Sequence, residues 1–171
     1  MRPTEVAVTG AAPGAAATWI AAARLRTLPA AVVPVVVGTA CAAAIHVAAP
    51  GPALAALGGA LATAILVVNN LRDRATDVRA GKRTLAVRFG RRAALGEYAA
   101  LLAIAYAVPL GLALCGRPWA GLPIASAPMA YARLRAVIAA DDGPAFNRCL
   151  AATAQLLLLH GALFAIGLAA G

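Results

Sequence analysis

CLAATAQLLLLHGALFAIGLAA, residues 149–170, runs for 22 positions without a single Asp, Glu, Lys or Arg. A bilayer core about 30 Å thick is crossed by about 20 apolar residues in a helix. The stretch therefore predicts a membrane span, with His160 and Gln155 as its notable polar side chains. Working outward toward the N-terminus, the same reading finds further spans at about Leu28–Val47, Ala53–Val68 and Leu95–Leu114. A fourth in chain order follows Arg117-Pro118-Trp119 and runs to about Tyr131, interrupted by Pro123 and Pro128. The expectation is an all-α, polytopic transmembrane bundle of about five spans.

Composition agrees. The 171 residues are 63% hydrophobic and 12% charged, with a mean hydropathy of +0.83. Soluble domains carry about 45–50% apolar and about 25% charged residues, and a chain this short cannot hide the excess in one core. Lipid is the solvent that tolerates it. Residues 1–18 mix Glu5, Pro3 and Pro13 with alanine and glycine, which reads as a disordered cytoplasmic tail and not as a cleaved signal peptide. Residues 19–171 then form the membrane domain. Cys41, Cys115 and Cys149 have no metal-ligand or redox spacing and read as small core hydrophobes.

The net charge is +9. Nucleic acid is excluded as the partner, because the basic residues sit between apolar spans and not on a soluble module. Five spans place the tail, the polar segment 69–94 and the loop 133–148 on one side of the bilayer. All Lys and Arg except Arg117 fall on that side. It is the cytoplasmic side of a cell membrane by the positive-inside rule.

The polar segment carries the chemistry: NNLRDRATDVRAGKRTLAVRFG, residues 69–90. If it continues the preceding helix, Asn70, Asp73 and Asp77 lie at i, i+3 and i+7, within about 60° of one another on one face. Two carboxylates and an amide oxygen form a hard site suited to Mg²⁺, which takes one or two carboxylates and completes its shell with water and phosphate. Lys82, Arg83 and Arg88 supply positive charge for a diphosphate. From spacing alone the alternative stays open that the two Asp residues balance nearby arginines. Against it, Asp73 and Asp77 are an i,i+4 like-charge pair, which destabilises a helix without compensation.

This segment resembles the second aspartate-rich motif of the UbiA superfamily of intramembrane aromatic prenyltransferases, most closely its 1,4-dihydroxy-2-naphthoate polyprenyltransferase branch. WIAAARLRTLPAAVVPVVVGTA, residues 19–40, is similar to that branch's first-helix signature. The resemblance implies Mg²⁺ held by Asn70, Asp73 and Asp77, catalytic roles for Asp73, Asp77 and Lys82, and substrate contacts from Arg24, Arg26, Asn70, Lys82, Arg83 and Arg88. It implies attack of the electron-rich naphthoate ring on an allylic cation left by a polyprenyl diphosphate, loss of the ring carboxylate, and demethylmenaquinone as product.

The chain departs from the family pattern in one respect. No N-D-x-x-D-x-x-x-D follows the first span, and His46-Val47-Ala48-Ala49-Pro50 leads straight into the helix before the second motif. The pattern fits loss of family helices two to five, an even number that preserves downstream orientation. Half the metal cage would be missing. The readings carried forward are prenyl transfer to the naphthoate or another aromatic acceptor, slow or absent in this short chain, and binding without catalysis. The sequence leaves room for an oligomer, since two chains present two copies of the motif. A transporter ranks last, because the charged residues stand at span ends.

The remaining polar residues read as packing. His160 and Gln155 lie about 140° apart round a helix, so His160 is expected to bond a neighbouring helix. Trp19 and Trp119 read as interface anchors, and Asp141-Asp142-Gly143-Pro144 as a solvated turn.

Overall fold

The computed structural model describes residues 51–170, with side chains from Gly59 onward. The tail, the span Leu28–Val47, Arg24, Arg26, Trp19, Cys41 and His46 lie outside the described residues. Within them the elements are all helical: α1 (Gly51–Arg72), α2 (Arg74–Arg79), α3 (Leu85–Arg88), α4 (Gly90–Leu114), a 3₁₀ segment (Pro118–Ser126), α5 (Ala127–Ala139) and α6 (Gly143–Ala169). Helices α4 and α6 are each long and apolar enough to cross a membrane. Leu66, Leu114, Leu158 and Ile166 stand exposed along α1, α4 and α6, as expected of helices whose outer faces meet lipid.

Helices α1, α4 and α6 share one core, in which Leu61, Ile65 and Val68 of α1 meet Tyr98 and Leu102 of α4 and Leu156, Leu157 and Phe164 of α6. Two polar links cross this core. Thr153 Oγ1 donates to the Cys149 carbonyl at 2.8 Å and therefore accepts from the Tyr98 hydroxyl at 3.0 Å. Ser126 Oγ donates to the Pro123 carbonyl at 2.7 Å, so it accepts from Tyr106 at 2.6 Å and from His160 Nδ1 at 3.3 Å. His160 also meets the Tyr106 ring edge to face, with centroids 4.7 Å apart. Interhelical bonding by His160 is thus as expected, and Gln155 is exposed on another face.

The fourth expected span is corrected. Its first half is the 3₁₀ segment and its second half the start of α5, which runs past Tyr131 through Arg133 and Arg135 to Ala139. Pro118 and Pro123 favour the tighter, shorter-range turns of a 3₁₀ helix. The segment packs where α6 offers no side chain: a Cβ on Gly167 would strike the Trp119 carbonyl. The expected loop 133–148 is correspondingly small. It reduces to a corner where Asp142 Oδ1 caps α6 by accepting from the Ala145 amide at 2.6 Å, with Pro144 in the first turn. Cys149 is buried as expected, but Cys115, at the α4 C-terminus, is exposed.

Candidate active site

The motif occupies the hook between α1 and α4. Helix α1 carries its 3.6-residue pattern to Arg72, and the chain is interrupted at Asp73 (φ −92°, ψ 5°) before α2. The four-residue bonding continues across the break: the Asp73 amide donates to Asn69 at 2.9 Å, and the Asp77 amide to Asp73 at 2.8 Å. Gly81 then turns the chain in a left-handed conformation (φ 68°) that costs other residues steric strain. The reversal lets the Lys82 amide reach the Asp77 carbonyl at 3.0 Å.

Asp77 and Lys82, five positions apart, are brought together by that turn. Lys82 Nζ lies 2.8 Å from Asp77 Oδ1, and Asp77 as a whole is only 4% exposed. A carboxylate this buried needs a charged or hydrogen-bonding partner, and Lys82 provides one from the solvent side. The hydrogen bond to Asp77, reinforced by its charge, raises the Lys82 pKa above the ordinary lysine value. Asp73 has a different partner. The Arg72 guanidinium grips it through Nε to Oδ1 at 2.7 Å and Nη2 to Oδ2 at 2.8 Å. Neighbours one apart on a regular helix do not face each other, so the interruption at Asp73 is what permits this grip. The third nitrogen, Arg72 Nη1, donates to Asn147 Oδ1 on α6 at 2.9 Å. The motif is thereby tied to the far end of the chain.

Asn70 is half-buried near the end of α1, while Arg83 and Arg88 are exposed. Arg88 lies over the Phe89 ring at 5.4 Å. Arg72, Arg74 and Arg91 instead line an open cleft of about 450 Å³, with Asp141, Asp142 and Phe146 opposite. Arg91 also closes the C-terminus of α5, donating to the Ile138 and Ala140 carbonyls at 2.8 and 2.7 Å. Sequence reasoning missed Arg72, Arg91 and Asn147. Asn147, a lone amide in the first turns of an apolar helix, is the one that carried a signal.

The oxygen donors of Asn70, Asp73 and Asp77 fit Mg²⁺ in kind. Each carboxylate is compensated by a basic side chain, and among the described residues no group of three or more His, Cys, Asp or Glu is placed to hold a metal. A metal here would have to exchange with, or share, the Arg72 and Lys82 contacts. The exposed cationic side chains of the hook can meet an anion, and the buried Asp77 holds Lys82 in place among them.

The chain is 43% identical over 95 residues to a Mycobacterium tuberculosis protein, covering 56% of this chain and 32% of that protein. It is 37% identical over 109 residues to one from Mycobacterium leprae, covering 64% and 37%. With one from Escherichia coli it shares 35% over 112 residues, covering 64% and 36%. Each of these relatives bears the name 1,4-dihydroxy-2-naphthoate octaprenyltransferase. The chain spans about a third of the length of these curated relatives. No solved structure matches it. The profile of one family matches residues 6–158, most of the sequence, and the all-helical architecture of the described residues agrees with the match: the chain belongs to the UbiA prenyltransferase family.

Proposed function

We propose that the chain takes part in polyprenyl transfer from a prenyl diphosphate to 1,4-dihydroxy-2-naphthoate, in menaquinone biosynthesis at the cell membrane. The observation that carries this reading is the buried Asp77, held by Lys82 across the Gly81 turn at the end of α1. The names of its relatives supply the acceptor and the octaprenyl group transferred. Asn70, Asp73 and Asp77 would hold Mg²⁺, whose Lewis acidity neutralises charge on a departing diphosphate. Lys82, Arg83 and Arg88 would supply further cationic contacts to the diphosphate, and the family resemblance assigns substrate contacts to Arg24 and Arg26 as well. Asp77 sets the position of Lys82, and Arg72 fixes Asp73 while bracing the motif against Asn147.

A second reading is binding of the prenyl diphosphate without turnover. Both carboxylates of the motif already have a basic partner, and the sequence carries no first aspartate-rich motif. One assay separates the two. Purified chain is incubated with Mg²⁺, a polyprenyl diphosphate and dihydroxynaphthoate, and prenylated product is followed by mass spectrometry. Product that disappears in Asp73→Ala supports transfer; tight Mg²⁺-dependent diphosphate binding without product supports the second reading.

A further inference from the structure

A second cleft, sharing no lining residue with the first, opens between α5 and α6. It measures about 280 Å³ and is walled by alanine methyls, Ala136, Ala145 and Ala152 among them, with Arg133 and Arg148 as its charged residues. Arg133 Nε is buried and has no hydrogen-bond partner among the described residues. Ion pairs among those residues join Arg72 to Asp73 and Lys82 to Asp77, leaving neither cleft arginine facing a carboxylate. Two guanidinium groups beside one small space repel unless an anion lies between them, and a buried N–H calls for an acceptor.

Depth identifies the anion. Helix α6, at 27 residues, is about 40 Å long, close to the full bilayer thickness with headgroups. Arg148 is the sixth residue of α6, and Arg133 lies six residues before the end of α5. Both stand about 9–10 Å inward from the Ala140–Asp142 corner, where headgroup gives way to hydrocarbon. An inorganic anion gains nothing from alanine walls, whereas a phosphodiester lipid lays its glycerol and first acyl carbons against them. We propose that the Arg133–Arg148 cleft binds the phosphate of an anionic membrane lipid, through the forked contacts guanidinium groups make with phosphate oxygens. The site is separate from the motif and does not depend on prenyl transfer.

The test uses the full chain in non-ionic detergent, with bound lipid read by native mass spectrometry. Phosphatidylglycerol is expected to stay bound where phosphatidylcholine does not, with inorganic phosphate and diphosphate as the soluble arms. Arg133→Ala with Arg148→Ala is expected to weaken phosphatidylglycerol binding about tenfold or more, the loss of about 1.4 kcal/mol or more. Ala152→Leu keeps both arginines and fills the cleft, so it gives the same loss even if the double variant does not fold. Arg117→Ala, remote on the opposite side, leaves binding unchanged. Equal binding of both lipids overturns the proposal, as does wild-type binding by the folded variants or an equal loss in Arg117→Ala. Inorganic phosphate or diphosphate binding as tightly as phosphatidylglycerol assigns the cleft to a free anion and overturns it too.

Discussion

Asp77 is the residue on which the motif turns, because it combines burial with a salt-bridge partner, Lys82, brought in by chain reversal. Asp77→Asn preserves the shape and removes the charge. Lys82 is then released, and hydrogen exchange at residues 81–84 is expected to rise while α4 stays protected. With Mg²⁺ present, diphosphate binding is expected to fall about tenfold, because the proposed metal site loses a carboxylate; unchanged binding would remove Asp77 from the proposed site. The alkaline limb of stability follows from the direction of the Lys82 shift. A lysine whose folded pKa is raised stabilises fully below its unfolded value of about 10.4 and loses that contribution as pH climbs through the folded one. Thermal unfolding of Lys82→Ala against wild type should therefore differ least at the highest pH. Because the ammonium is mostly exposed, salt is expected to shrink the difference as well.

At the scale of elements, the 3₁₀ segment and α6 are fitted to each other at both ends of the segment. Near its start Gly167 leaves space for the Trp119 carbonyl, so Gly167→Ala forces the segment outward and is expected to cost about 1–3 kcal/mol in detergent unfolding. Near its end Ser126 joins Tyr106 to His160; Ser126→Ala strands both and is expected to cost about 1 kcal/mol. An unfolding midpoint unchanged by Gly167→Ala would mean that the segment does not pack as described. Helices α1, α4 and α6 were legible in the sequence because long, predominantly apolar runs leave the backbone no other way to satisfy its hydrogen bonds in lipid. The 3₁₀ segment was not, since its prolines read equally well as kinks in a regular span. Lys82 and Asp77 were legible as charges but not as a pair, because their meeting depends on the conformation of Gly81. The Arg72–Asn147 bond joins residues 75 positions apart, and nothing local announces such a contact. Helix α5 ran longer than expected because its two arginines were read as the start of a loop, although arginine is a good helix former.

At the scale of the molecule, orientation and activity are the properties at issue, and both follow from where charge lies. Ala80 sits in the basic hook and Cys115 at the opposite end of α4, beside Arg117. A membrane-impermeant maleimide is expected to label Cys115 from outside, and Ala80→Cys in a background without other cysteines only from the cytoplasm. Labelling of both from one side would refute the proposed topology. Activity depends on the same distribution. A diphosphate leaving an allylic carbon develops negative charge that must be met at the moment of bond cleavage, and the resemblance implies that the family meets it with metals held from two aspartate-rich motifs. This chain offers one motif, whose carboxylates share their charge with Arg72 and Lys82. Each missing charge contact in a water-excluded site is worth about 3–4 kcal/mol, and about 1.4 kcal/mol is a factor of ten in rate. The loss of two or more such contacts should slow ionisation by at least about four orders of magnitude relative to a full-length relative. Co-expression with a fragment carrying the first motif should restore part of that rate, because it returns the missing charge without altering this chain. Turnover of the purified chain alone at a rate near that of a full-length relative would show that one motif suffices, and would overturn the charge argument even if Asp73→Ala abolished the reaction.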